Sequence, residues 1–408
     1  MTIAVTGIGI TTSIGQGREE FTQSLFAGMH KFSVLKREGR QLPDDLEHDF
    51  APFIGAEISE LRYPDDLSSK QLRTLSWSGR VAAVTAREAW QNANLDSVDG
   101  HRVGLILSGS NFQQREQAVM HRQLHGNETF TRPAYGISFM DTDVAGFCCE
   151  YLGVHGFSCS TGGASASGQF ALINAINFLE SGSLDACIVL GMLTDLSHWE
   201  LQALRSAGAL GSERFAKQPE YSARPFDKDR DGFIFGECCG ALVIEKAAHA
   251  SARQAKSLAL ITGWGTFIDG NRNPNPSLEG EKSAIRLALR QAGITASDID
   301  YVNPHGTGSL LGDAIELEAL AQSYLLHARI NTTKSLLGHG LAAAGLVEVI
   351  VTIEQMIAGR LHPSRNLQKP LNDRFFWVKS QPEICKIKCA LNLSLGFGGM
   401  NSAICITQ

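Results

Sequence analysis

Four side chains in this sequence are of types, and in settings, that could do chemistry together: Ser165, His305, Lys334 and His339. Ser165 lies in Gly162-Gly163-Ala164-Ser165-Ala166-Ser167-Gly168, small residues between a strand-like run, Phe157 to Thr161, and the helical spacing of Gln169 to Ile176. Small residues at such a turn let a ligand approach the backbone. The first N–H groups of the helix lack intrahelical partners and favour developing negative charge in front of them. His305 sits on a glycine-rich loop, Asn303 to Ser309, at a strand end, and His339 opens an apolar helix with Lys334 five residues before it. Taken singly, each has a structural explanation: a tightly packed crossover for the serine turn, a surface or core position for a histidine. Taken together they describe a site that stabilises an anion, with Ser165 as a candidate nucleophile.

The elements that position these residues recur. Ile3 to Ile10 is a buried-strand pattern carrying Thr6-Gly7-x-Gly9, and Leu258 to Gly265 repeats it with Thr262-Gly263-x-Gly265. The stretch from Ile330 to Gly345 repeats the layout around Ser165: a short strand, a small-residue turn, a long apolar helix. An internal duplication follows, and a pseudo-two-fold between the halves would bring Ser165 and His339 face to face. Gly7 and Gly9 do not make a dinucleotide fingerprint, because position 12, where the third glycine belongs, is Thr12. Lys70 to Asn92 reads as one long packed helix, 30–68 as loops, and 110–145 as a long irregular insertion of functional or interfacial kind. Ala247 to Ser257 is polar and alanine-rich and marks the junction, giving halves 1–250 and 251–408.

At 408 residues, 43% apolar and 19% charged, the chain is of ordinary globular composition with room for two fused halves. A net charge of -6 argues against nucleic acid as a partner. Nine scattered cysteines without a CxxC pair argue against a zinc site or a disulfide framework and read as reduced, buried thiols. No signal-like leader and no uninterrupted apolar run of membrane-spanning length is visible, so a cytoplasmic location is expected, without membrane or metal.

Five ordered blocks then make the chain resemble the β-ketoacyl synthases of the thiolase superfamily from end to end. The family's Val-Thr-Gly-x-Gly is similar to Val5 to Gly9, and its Arg-Pro-Phe-Asp-x-x-Arg-Asp-Gly-Phe to Arg224 through Phe233. Its His-Gly-Thr-Gly-Thr-x-x-x-Asp falls on His305 to Asp313, with Ser309 for the second threonine. Its Lys-x-x-x-Gly-His-x-x-x-Ala-Ala-Gly falls on Lys334 to Gly345, and its Gly-Phe-Gly-Gly-x-Asn on Gly396 to Asn401. The resemblance implies an α/β thiolase-like fold, duplicated βαβαβαββ halves in a five-layered αβαβα arrangement, and a homodimer with the 110–145 insertion near its interface.

One position departs from the family. Condensing members carry a nucleophilic cysteine where this chain has Ser165, and Cys159 belongs to the preceding strand rather than replacing it. A thiol with a pKa near 8.5 is readily ionised at a helix N-terminus, whereas a serine needs a general base held by a third group. No such triad is evident, and Gly163-Ala-Ser165-Ala-Ser167 fails the G-x-S-x-G elbow at its last position. Acyl transfer from a thioester carrier to the enzyme is therefore expected to be badly impaired. Decarboxylation of a malonyl thioester needs instead an enolate held by hydrogen-bond donors in a low-dielectric site. The chain thus resembles the serine-variant ketosynthases of polyketide β-branching cassettes, which implies conversion of malonyl- to acetyl-acyl carrier protein without C–C condensation, beside an enzyme of the 3-hydroxy-3-methylglutaryl (HMG) synthase type.

By the same resemblance His305 and His339 donate to the enolate oxygen, and Lys334 pairs with Glu348 to hold His339. Thr307 and Ser309 bind the phosphopantetheine arm of the carrier, the backbone N–H groups of Ser165 and Phe397 form the oxyanion hole, and Phe233 and Phe397 line the substrate pocket. No bound cofactor is implied. Lys70 and Arg73 are candidate contacts for an acidic carrier protein. Asp313 reads as a loop or cap residue, and Cys238 and Cys239 as buried packing cysteines. Three alternatives stand beside this reading: a non-catalytic partner of the chain-length-factor kind, a serine-dependent acyltransferase or hydrolase, and a slow condensing enzyme.

Overall fold

The two Thr-Gly-x-Gly strands are packed in one way, each against a long helix. In strand β1 (Ile3–Thr12), a Cβ on Gly7 would lie 2.4 Å from the Ala89 carbonyl oxygen and one on Gly9 2.0 Å from that of Thr85, both on helix α1 (Trp77–Ala93). In the second strand, Ala259–Ile268, a Cβ on Gly263 or Gly265 would lie 2.3 or 2.4 Å from the carbonyl oxygens of Ala288 and Ala284 on the helix Leu278–Ala292. The repeated glycines are thus what lets a helix backbone lie directly on a strand, a packing role rather than a phosphate-binding one.

A computed structural model describes residues 2–42, 51–211 and 213–408. After β1 and α1 the first half runs through β2 (Val103–Ser108), α2 (Asp141–Leu152), β3 (Phe157–Thr161), α3 (Ser167–Glu180), β4 (Ala186–Gly191) and β5 (Cys238–Lys246). Its strand order is β3-β2-β4-β5-β1. The second half runs through β6 (Ala259–Ile268), α4 (Leu278–Ala292), β7 (Tyr301–Asn303), α5 (Gly312–Gln322), β8 (Arg329–Ile330), α6 (Ala344–Ala358), β9 (Cys389–Gly396) and β10 (Met400–Thr407). Its order, β8-β7-β9-β10-β6, repeats the first half strand for strand, with the short strand Phe376–Trp377 added beyond β8. The pairing directions repeat too: β2 is parallel to β3 and β4, and β7 is parallel to β8 and β9, while the remaining pairs in each half are antiparallel. β1 and β6 pair antiparallel from Ile3↔Ile261 to Val5↔Ala259 and join the two sheets.

Helices α3 and α6 pack on each other and on both sheets, α1 and α2 cover the outer face of the first sheet, and α4 and α5 that of the second. This is the αβαβα layering of the thiolase-like fold. Thirteen of the fifteen residues of α6 are buried, so the apolar stretch Leu341–Ala358, long enough to cross a membrane by composition, is the inner core helix. Glu348, Thr352, Glu354 and Gln355 interrupt its apolar sequence.

Several local expectations need correction. The stretch from Lys70 to Asn92 is two helices, Ser69–Leu72 and α1, because Ser76 caps a new start by accepting the Gly79 N–H at 3.1 Å. The 110–145 segment is not irregular: it holds helix Gln114–Leu124, two shorter turns and the start of α2. Its polar composition reflects exposure, Arg115 being the buried residue of the first helix. Of residues 30–68, positions 43–50 lie outside the described residues. Phe32–Val34 and Ile54–Ala56 join Phe235–Gly236 in a small three-stranded sheet. At the junction, Ala247–Ala252 is helical.

Candidate active site

The Ser165 turn is built by its own small residues. Ser167 Oγ accepts the Gly163 N–H at 2.9 Å and donates to the Ala164 carbonyl at 2.6 Å, holding Ala164 at φ 47°, a left-handed conformation costly for a non-glycine residue. Ala164–Ala166 forms one 3-10 turn and α3 follows. The second half repeats the device: Leu341 has φ 51° and Leu341–Ala343 is a 3-10 turn ahead of α6. Ser165 thus sits one turn before its helix, and His339 two residues before the left-handed Leu341. The pseudo-two-fold does bring them together, with Ser165 Oγ 2.8 Å from His339 Nε2.

His339 is fixed by its backbone, which donates to the Ile234 carbonyl at 2.7 Å and accepts the Gly236 N–H at 3.2 Å. The buried Phe233 ring meets its imidazole edge-on at 5.1 Å, and the His305 ring stands perpendicular to it at 5.5 Å. His305 follows β7 on a loop whose amides are held by two buried carboxyls. Glu316 accepts from His305 N at 2.5 Å and Gly306 N at 2.8 Å, and Asp313 from Thr307 N at 3.2 Å and Gly308 N at 3.0 Å. Lys334 reaches the loop from the other side: its Nζ donates to the His305 carbonyl at 2.5 Å and contacts the buried Glu348 carboxylate. Lys334 therefore props His305 directly, and no bond joins it to His339.

Burial, reinforced by the Lys334 ammonium, holds both imidazoles well below their ordinary range, and His339 adds to the effect on His305. Both rings are therefore neutral near pH 7, each presenting one N–H. The Nδ1 atoms of His305 and His339 are buried without a hydrogen-bond partner among the described residues. Ser165 thus has a histidine neighbour, but one that binds a proton poorly and lacks an orienting third group.

A cavity of about 340 Å³ opens onto Ser165, His305, His339, Phe233, Thr307 and Ser309, with Phe397 half-exposed at its rim. Its walls are mostly apolar, which keeps the dielectric low around the two histidines. Among the described residues no group of three or more His, Cys, Asp or Glu could hold a metal ion. Lys70 and Arg73 are exposed on and beside the short helix Ser69–Leu72 and do not line the cavity. Cys159 is a residue of β3 and does not line it either, and Cys238 and Cys239 are buried with burial-raised thiols.

Sequence reasoning missed Glu316 and Glu281. Glu316 could have been found from its place in the first two turns of the helix after the glycine-rich loop, where a buried acid can turn back to loop amides. Burial pushes its carboxyl up to about 8, against the pull of the two amides. Asp313 is not a helix cap: it is the second residue of α5, and its carboxyl, besides holding the Thr307 and Gly308 amides, accepts the Phe226 N–H at 2.6 Å, tying the Arg224–Phe233 loop to the site.

Comparison with known proteins places the chain in a family. The model for the β-ketoacyl synthase N-terminal domain matches residues 1–250 and that for the C-terminal domain residues 258–368. A polyketide biosynthesis malonyl-ACP decarboxylase, PksF, of Bacillus subtilis (strain 168) is 53% identical over 404 residues, spanning 99% of this chain and 96% of that one. A 3-oxoacyl-[acyl-carrier-protein] synthase 2 of Staphylococcus aureus (strain N315) is 28% identical over 98% of this chain and 97% of its own. Among solved structures, a β-ketoacyl synthase from Burkholderia phymatum STM815 superposes with a TM-score of 0.88 at 26% identity, covering 100% of this chain and 99% of that one.

Proposed function

This chain belongs to the β-ketoacyl synthase family, and we propose that it is the decarboxylating kind, turning malonyl held on an acyl carrier protein into acetyl on the same carrier in polyketide biosynthesis. The observation that carries the reading is the pair of neutral histidines facing one apolar cavity whose third member is a serine. Similarity over the full chain to a malonyl-ACP decarboxylase supports the same reaction.

In this reading the arm's thioester enters past Thr307 and Ser309, and N–H donors from His305 and His339 meet its carbonyl oxygen. As the C–C bond to the carboxylate breaks, carbon dioxide leaves and the electron pair passes into the thioester, forming an enolate whose oxygen those donors hold. The backbone N–H groups of Ser165 and Phe397, the oxyanion-hole positions of condensing relatives, have no second oxyanion to hold where no acyl-enzyme forms. A proton then adds to the α-carbon and acetyl remains on the carrier. Because no acyl group is held on the enzyme, no C–C bond forms. The acetyl carrier passes to a condensing partner of the HMG-synthase type in β-branching, supported by the enzyme's own inability to use that acetyl group.

Intact-mass measurement of malonyl-loaded carrier tests this. The expected result is loss of carbon dioxide to give acetyl carrier, with Ser165→Ala retaining turnover and the enzyme's own mass unchanged. The 2.8 Å contact of Ser165 with His339 favours one other reading, serine-dependent acyl transfer. An acylated enzyme, together with a dead Ser165→Ala variant, would establish that reading instead. Absence of turnover without a cysteine-bearing partner chain would favour a chain-length-factor role.

A homodimer belongs to the same proposal. β3 is an edge strand with Phe157 39% exposed, and the 110–145 segment exposes Phe130, Ile137 and Phe139. An open edge with nearby apolar side chains calls for a partner. Sedimentation of the wild type should give a dimer and Phe157→Glu should shift it towards monomer. A monomeric wild type would discard the assignment.

A further inference from the structure

Glu281, in the first turn of α4, has no part in the reaction above, yet it lines the same cavity as His305, Thr307 and Ser309. It is 1% exposed, and both of its carboxyl oxygens are buried without a hydrogen-bond partner among the described residues. A buried polar group left unmatched costs about 1–3 kcal/mol, so a chain gains nothing in stability by keeping one there. Its neighbours sharpen the cost, because Glu316, Asp269 and Asp313 are all close enough to repel a charge on it. Each of those three carboxyls is occupied. Glu316 and Asp313 hold the loop amides from His305 to Gly308, and Asp269 accepts from Asn401 Nδ2 at 3.0 Å. Glu281 alone of the four is unused by the protein.

We propose that the Glu281 carboxyl is a binding residue for the pantetheine arm, its hydroxyl donating to one amide carbonyl of the arm and its other oxygen accepting an amide N–H. This rests on the carrier-bound substrate argued above. A protonated carboxyl, like a carboxamide, offers one donor and one acceptor side by side, and the arm, with an amide on either side of its β-alanine unit, offers the matching acceptor and donor. Burial, with the three neighbouring carboxyls, holds the Glu281 carboxyl well above the ordinary carboxylate range, so the hydroxyl is available to donate. Thr307 and Ser309 line the cavity with it, so an arm running past those hydroxyls shares one cavity with the Glu281 side chain.

The probe is free pantetheine, titrated calorimetrically into the full-length protein, so that the result does not depend on turnover. Glu281→Leu should weaken pantetheine binding about tenfold, as for loss of a buried hydrogen bond with an unmatched partner. Glu281→Gln, which keeps a donor and an acceptor, should hold affinity near wild type. Thermal unfolding is the structural control: Glu281→Leu removes an unsatisfied buried acid and should unfold at the same or a higher temperature. Undiminished pantetheine affinity in folded Glu281→Leu would overturn the proposal. So would a Glu281→Leu protein that unfolds at a lower temperature and binds pantetheine normally, which would mark Glu281 as structural. If wild type binds pantetheine through Glu281 yet releases no carbon dioxide from malonyl carrier, the decarboxylase reading fails and the arm contact stands.

Discussion

Replacing either His305 or His339 by alanine should lower decarboxylation of malonyl carrier by about 10²–10³-fold, the effect of removing one donor aimed at a developing oxyanion. The two imidazoles stand perpendicular at 5.5 Å over one cavity, so an oxygen between them can accept from both. Because they act on one atom, the double variant should fall little further than either single one. The fold should survive, since His339 is tied to the Phe235–Gly236 strand by its backbone and the His305 loop is held by Glu316, Asp313 and Lys334. Asparagine or glutamine at either position keeps an N–H donor without a titrating ring and should recover part of the rate. Single-turnover carbon dioxide release, with circular dichroism as the control, measures all of these. Folded alanine variants with undiminished release would remove both histidines from the reaction.

What could be read in the sequence and what could not follows from how each feature is encoded. Ser165, His305 and His339 were legible because each sits in a run of small or glycine residues that only a close approach of backbone explains, and the repeated Thr-Gly-x-Gly marked the duplication. The helices of the 110–145 segment were not legible, because a surface helix with Arg115 as its buried residue shows little apolar periodicity. The break between Leu72 and Trp77 was hidden by a continuous apolar spacing that Ser76 interrupts only through its cap. Glu281 was invisible for a different reason. A glutamate in the first turn of an amphipathic helix looks like a solvent-facing residue, and only the packing of α4 against α5 reveals that it is buried.

The second large effect belongs to Lys334 and Glu348, buried at 3% and 1% exposure and in contact. Burial alone would push the Glu348 carboxyl up, and the Lys334 ammonium opposes it. Lys334→Met leaves that carboxyl unpaired in the core and should destabilise the fold by about 3–5 kcal/mol, read from denaturant unfolding. Lys334→Met combined with Glu348→Met removes both partners and should restore most of that stability. Turnover should stay low in the double variant, because Lys334 also props the His305 carbonyl at 2.5 Å.

The pH profile separates this positioning role from a structural one. Lys334 is one cause of the lowered proton affinity of both imidazoles, after burial. In the wild type the stability they contribute is present above the ordinary imidazole value of about 6.5 and is lost as pH falls towards their folded values. The rate should likewise show no acid limb near 6.5. Without the ammonium both rings hold protons more readily, so the double variant should acquire an acid limb displaced upward towards that value. A double variant with wild-type turnover and an unmoved profile would reduce Lys334 and Glu348 to a structural pair.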